Sequence, residues 1–151
     1  MNWKLYDSLS QFSPEHLHAV LQLRQNVFII EQDCIYPDID ELDSISEHLL
    51  LFIESKLAGY LRVVPAGEKF KEISLGRIVV DENFRGKGLG KKLVQKGISI
   101  LEQKGVDKIR IEAQLYLEVF YTDLGFVTKS SPYEVDGIPH IEMLYKSSIS
   151  R

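Results

Sequence analysis

The hexapeptide Arg85-Gly86-Lys87-Gly88-Leu89-Gly90 constrains this chain more than any other segment. It lies between an apolar run, Ile73 to Val80, that reads as a strand and a segment, Leu89 to Lys104, that reads as a helix. Three glycines at alternate positions cost backbone entropy on folding, more than a plain strand-to-helix turn requires. Without Cβ atoms the backbone N–H groups can close around an anion. The free donors and the macrodipole of a helix N-terminus favour phosphate at the same place. Five bases between Asn83 and Leu101, with no carboxylate among them, add long-range attraction. Two familiar phosphate loops fail on spacing. A P-loop needs Ser or Thr after Gly-Lys, and Gly90-Lys91 is followed by Lys92. A dinucleotide turn started at Gly86 or Gly88 needs its last glycine where Lys91 or Leu93 stands.

The rest of the chain reads as one alternating α/β domain spanning residues 1–151, with no repeat, low-complexity tract or linker. Trp3 to Asp7 reads as a first strand. Ser13-Pro14 is an N-cap followed by proline at the first helical position, and Leu17, Val20, Leu21, Val27 and Phe28 recur at helical spacing. Glu31 to Glu47 reads mostly as loop. His48 to Glu54 and Leu57 to Val64 form a hairpin, and Ile73 to Val80 follows as a third strand. In the next helix Leu89, Leu93, Val94, Gly97, Ile98 and Leu101 make one stripe, ended by Gly105. Lys108 to Ala113 alternates as a strand, Leu115 to Leu124 is a short helix, and Phe126 to Lys129 and His140 to Lys146 are two last strands joined by a loop containing Asp136-Gly137. Consecutive strands followed by β-α-β predict a central mixed sheet flanked by helices on both faces.

Composition adds limits. A chain of 151 residues, 44% hydrophobic and 26% charged, is an ordinary globular domain. No apolar run is long enough to span a membrane and the first residues lack the apolar block of a signal peptide, so no membrane partner is expected. The single cysteine, Cys34, allows no internal disulfide and suits a reducing, cytoplasmic location. A net charge of −4 argues against a nucleic-acid partner. The acidic charge is concentrated: Glu31 to Glu54 holds eight carboxylates and no Lys or Arg. Read as a free surface, that run would attract a cation. Asp38-Ile39-Asp40 is not a calcium loop, because the required glycine is missing, and no metal is expected.

Arg85-x-x-Gly88-x-Gly90, after a strand and before a helix, resembles motif A of the GNAT superfamily of N-acetyltransferases. Phe120-Tyr121-x-x-x-Gly125-Phe126 is similar to its motif B, and the order of elements follows that family along nearly the whole chain. Val27-Phe28-x-x-Glu31-Gln32-x-Cys34-x-Tyr36-x-Asp38-Ile39-Asp40 and Gly137-Ile138-Pro139-His140 resemble the ElaA-like branch, which implies no particular acceptor.

The resemblance implies the acyl-CoA N-acyltransferase fold and an enzyme that moves an acetyl group from acetyl-CoA to an amine in a ternary complex. The main chain of Arg85, Gly86, Lys87, Gly88, Leu89, Gly90 and Lys91 would hold the pyrophosphate. The main chain of Ile78, Val79 and Val80 would bond the pantetheine amides as an added strand does. Tyr121 would protonate the leaving thiolate; a phenol with an ordinary pKa of ~10 stays a donor at neutral pH. The amine must lose a proton, and the strand before the loop carries no carboxylate except Glu72 at its start. Glu31 is the first choice of base, followed by Glu112, Asp136 and His140, the last being the residue type that titrates nearest neutrality; a water chain is the remaining alternative. Cys34 has no obligatory part. The acceptor would be a small-molecule or lysine-type amine, cationic if the acidic run is free, and a homodimer stays open. The alternative is a module that binds or senses acyl-CoA without turning it over.

Overall fold

The computed structural model describes residues 1–148 and shows a mixed sheet of eight strands with helices on both faces. In chain order the elements are β1 (Asn2–Tyr6), α1 (Pro14–Arg24), β2 (Glu47–Ile53), β3 (Lys56–Val64), β4 (Ile73–Val80), α2 (Leu89–Gln103), β5 (Lys108–Gln114), α3 (Glu118–Asp123), β6 (Phe126–Thr128), β7 (Tyr133–Val135) and β8 (Ile138–Lys146). The sheet runs β1-β2-β3-β4-β5-β8-β6, with β7 also on β8. Every pairing is antiparallel except β4 with β5.

Two apolar clusters hold the layers together. On one face α2 lays Leu89, Leu93, Val94, Ile98 and Leu101 against the sheet, the stripe expected from spacing alone. Gly97 lets that helix approach closely, since a Cβ there would meet Leu61 Cδ2 at 3.2 Å and Leu75 Cδ1 at 3.4 Å. On the other face α1 buries Val20 and Leu23, with Val27 just beyond its end, against Leu50, Tyr60 and Val79. Ser13 caps α1 as expected, its Oγ accepting from the His16 N–H at 3.1 Å. The buried stripe of α1 is rotated from the expected one: Leu17 and Leu21 are only half-buried, while Leu23 and Arg24 are fully inside.

Three local features depart from the sequence reading. The first helix continues beyond Arg24 as one wide π turn, Gln25–Glu31. The acidic loop carries a short 3₁₀ turn, Glu41–Ile45, closed by a capping box between Asp40 and Asp43. Asp136-Gly137 is a two-residue turn with both φ positive, 50° and 80°, so it closes a tight hairpin between β7 and β8, and β7 was not expected.

The feature that positions the site is the junction of β4 and β5. These parallel strands pair only at Ile73 with Ile109 and Ser74 with Arg110. Beyond Ser74 they part, leaving backbone edges of β4 without a strand beside them. A bulge contributes to the bend. Tyr60 faces Val79 while Arg62 faces Gly76, so β4 carries one residue more than β3 in that interval. Arg77 falls there with φ 50°, a left-handed conformation uncommon for a side chain of its size.

Candidate active site

The glycine loop stands at the open end of this split. Asp81 starts it, accepting from the Asn83 N–H at 2.8 Å. Gly86 and Gly88 then take φ of 82° and 72°, and a Cβ on either would touch nothing within 4 Å. Those glycines are therefore required by backbone conformation, and the space beside them is open. Gly88 is the N-cap of α2 and offers no side chain to the helix, so the first-turn N–H groups remain free to meet an anion.

A cavity of about 790 Å³ extends from this loop through the split. Ile78, Val79 and Val80 of β4, and Arg85 and Gly90 of the loop, line it. Gly86, Lys87, Gly88, Leu89 and Lys91 belong to the same continuous loop and helix start outside that lining.

Tyr121 lines the cavity from α3, packed edge-on between Phe120 and Phe126 on the α2 face of the sheet. It is 5% exposed, and its hydroxyl makes no hydrogen bond among the described residues. Burial pushes the phenol well above its ordinary range, so it remains protonated at any working pH.

Glu31 also lines the cavity, at the end of the π turn. Its carboxylate is held by Arg85 through two bonds, 2.7 and 2.9 Å. Those hydrogen bonds hold it below its ordinary pKa, which makes it a poor proton acceptor while the pair lasts. Glu112 is similarly engaged. Burial acts to raise its pKa, but Lys69 Nζ at 2.9 Å and the Tyr133 hydroxyl at 2.8 Å outweigh burial and lower it.

The acidic run is not a free surface. Arg24 and Arg62, 1% and 2% exposed, are the charged centres of a buried network. Arg24 bonds Asp38 at 3.0 Å and Asp43 at 2.7 Å; Arg62 bonds Asp40 at 2.6 Å and Asp43 at 2.9 Å. Arg77, turned by the bulge, adds Asp38 at 2.9 Å and Asp40 at 3.3 Å. Three guanidinium groups thus meet three carboxylates, while Glu31 and Glu47 pair with Arg85 and Lys104. The expectation of a free acidic surface is corrected for these five of the eight carboxylates. Each is neutralised by a base outside the run, and the run is an anchored wall of the cavity. The sequence signal that could have revealed this is Arg24 within the buried stripe of α1.

On the face away from α2, Glu112 and Gln114 of β5 and His140 of β8 form the cavity floor beyond the split. Gln114 exchanges hydrogen bonds with Gln32, and Cys34 Sγ lies 3.5 Å from the Asp136 carbonyl, so loop residues 32–34 roof this floor. Cys34 is a packed thiol. Among the described residues no cluster has the makings of a metal site.

A mixed sheet split between two parallel strands, with a glycine loop and helix N-terminus at the opening, is the acyl-CoA N-acyltransferase fold. The chain belongs to the GNAT acetyltransferase family, whose domain model matches residues 9–147. It is similar to the protein ElaA of Escherichia coli, 36% identical over 137 residues, 89% of this chain and 90% of that one. The crystal structure of E. coli ElaA superposes with a TM-score of 0.87 at 33% identity, covering 96% of this chain and 99% of that one. An acyl-CoA N-acyltransferase from Pseudomonas aeruginosa superposes equally well, TM-score 0.87 at 32% identity over 95% and 98%. The PaiA N-acetyltransferase of Thermoplasma acidophilum, solved with coenzyme A, shares the fold alone: TM-score 0.68, 17% identity, 97% of this chain and 100% of that one.

Proposed function

We propose that this chain transfers an acetyl group from acetyl-CoA directly to a primary amine, with both substrates bound together. The observation that carries the reading is the shared cavity. The glycine loop, the split edge of β4 and the buried hydroxyl of Tyr121 all border one space. The Arg85 N–H is taken by the Glu82 carbonyl, so the coenzyme would place its pyrophosphate on the N–H groups of residues 86–91, beside the Arg85 side chain, and its pantetheine along Ile78 to Val80. Arg85 then has a second anion within reach besides Glu31.

Tyr121 serves as the proton donor. Burial raises its pKa, and the same burial raises the proton affinity of a thiolate released beside it, so the transfer stays feasible. The amine enters from the other face, over the floor formed by Glu112, Gln114 and His140. The wall it passes is a neutralised ion network, so this reading requires no cationic charge on the acceptor beyond the reacting ammonium itself. Acetyl-CoA and a panel of primary amines, with free thiol as the readout, test the proposal. Thiol release that needs the amine, and falls about 100-fold or more in Tyr121→Phe, supports it. Coenzyme binding without amine-dependent release would instead identify an acyl-CoA sensor.

A further inference from the structure

Among the described residues, His140 is the only histidine that lines the cavity. Its Nδ1 lies 2.6 Å from the Ile138 carbonyl oxygen. That oxygen can only accept, so Nδ1 carries the proton and the lone pair of the neutral ring lies on Nε2. Nε2 has no partner among the described residues. The ring is half-buried on β8, directly opposite Gln114 of β5 on one side and Tyr133 of β7 on the other. Opposed residues in antiparallel pairs share a face, so His140 stands with Glu112 and Gln114 on the face away from α2. Tyr121 lines the same cavity from the α2 face. The split between β4 and β5 is the passage between them.

Other titratable groups around the ring are already engaged. Glu112 is bonded by Lys69 and Tyr133, and Glu142, two residues along β8, pairs with Arg110. Asp136 lies in the exposed hairpin turn, and Cys34 contacts its carbonyl. Glu31 is held by Arg85. Imidazole alone among these side-chain types ordinarily changes charge between pH 5 and 8.

We infer that His140 is the general base that deprotonates the acceptor ammonium. This rests on the acetyltransferase reading. The ammonium gives one proton to His140 Nε2. The freed nitrogen lone pair forms the C–N bond at the thioester carbonyl, and the C–S bond breaks with its electron pair on sulfur. Tyr121 gives its proton to that sulfur and regains one from the second N–H of the nitrogen. His140 returns its proton to solvent, so the turnover releases one proton overall.

The test compares wild type with His140→Gln and His140→Ala. Calorimetric titration with acetyl-CoA comes first and depends only on the underlying reading; absence of binding in wild type would sink that reading before the base is in question. Both variants are expected to bind the coenzyme within twofold of wild type. In the amine-dependent thiol assay they should lose about 100- to 1,000-fold in kcat/KM. The shape of their pH–rate profiles should differ from that of wild type, and added imidazole should restore part of the activity of His140→Ala. Nitrogen-edited NMR of the wild-type ring gives an acceptor-independent check and should show the Nδ1–H tautomer. A ring protonated on Nε2 at neutral charge, or variants that keep the wild-type pH profile within threefold of its rate, would overturn the assignment.

Discussion

Replacing Asp43 with Asn removes one charge from the buried network and almost no volume. Asp43 Oδ1 accepts from Arg24 at 2.7 Å and Arg62 at 2.9 Å. Its Oδ2 accepts from Arg24 and from the Asp40 N–H, both at 3.1 Å. Whichever way an asparagine amide is turned, two of these contacts become donor against donor. Bonds to charged groups are worth about 1.5–3 kcal/mol each, and breaking a buried pair costs about 3–5 kcal/mol. The two routes agree on a loss of roughly 3–5 kcal/mol, or a fall in Tm of roughly 6–20 °C for a domain of this size. Burial acts to raise the pKa of Asp43, but the arginine contacts win and hold it low. Its stabilisation is therefore complete above the ordinary aspartate value of 3.8 and drains as pH falls through the lower folded value. Asp43→Asn should flatten that acid limb as well as lower the melt. Thermal and urea unfolding across pH provide the assay. A Tm within 3 °C of wild type, with an unchanged acid limb, would refute the view that this network anchors the loop.

Four further outcomes follow from the same geometry. Gly97→Val should lower stability by about 1–3 kcal/mol in urea melts, because its side chain would press into Leu61 and Leu75. Glu31→Gln should shift stability by less than about 1 kcal/mol, since the Arg85 pair is about two-fifths exposed on both sides. Arg77→Gly should cost less than its lost contacts suggest, because relief of the positive φ returns about 1 kcal/mol; denaturant titration reads the difference. Gly88→Ala should cost about 1 kcal/mol of stability from its φ of 72° but weaken coenzyme binding at least tenfold by calorimetry, because the added methyl faces the open space of the loop.

What the sequence revealed was local. The glycine loop, the stripe of α2 and the alternation of β5 follow from spacing within a few residues, and the structure repeats them. Asp136-Gly137 carried a hairpin signal that a reading of β8 alone overlooked. The ion network was hidden because its arginines, Arg24, Arg62 and Arg77, come from three separate elements. Its carboxylates look like a solvated run until those partners are brought in. Nothing local announces that Arg77 takes a positive φ, or that β4 leaves β5 after Ser74. Both depend on register against neighbouring strands. The lone pair of His140 was equally out of view, because it depends on a carbonyl two residues away in the folded hairpin.

The most direct test of the central claim is calorimetric titration of the full chain with acetyl-CoA, alongside ATP as a control, followed by a melt in excess coenzyme. One acetyl-CoA should bind per chain, with no matching heat from ATP. At 100 times Kd the coenzyme should stabilise the fold by about 2.7 kcal/mol, a rise in Tm of roughly 5–10 °C. No heat and no shift at millimolar acetyl-CoA would mean that the glycine loop is only a turn, and the proposed transferase activity of this chain would fall with it.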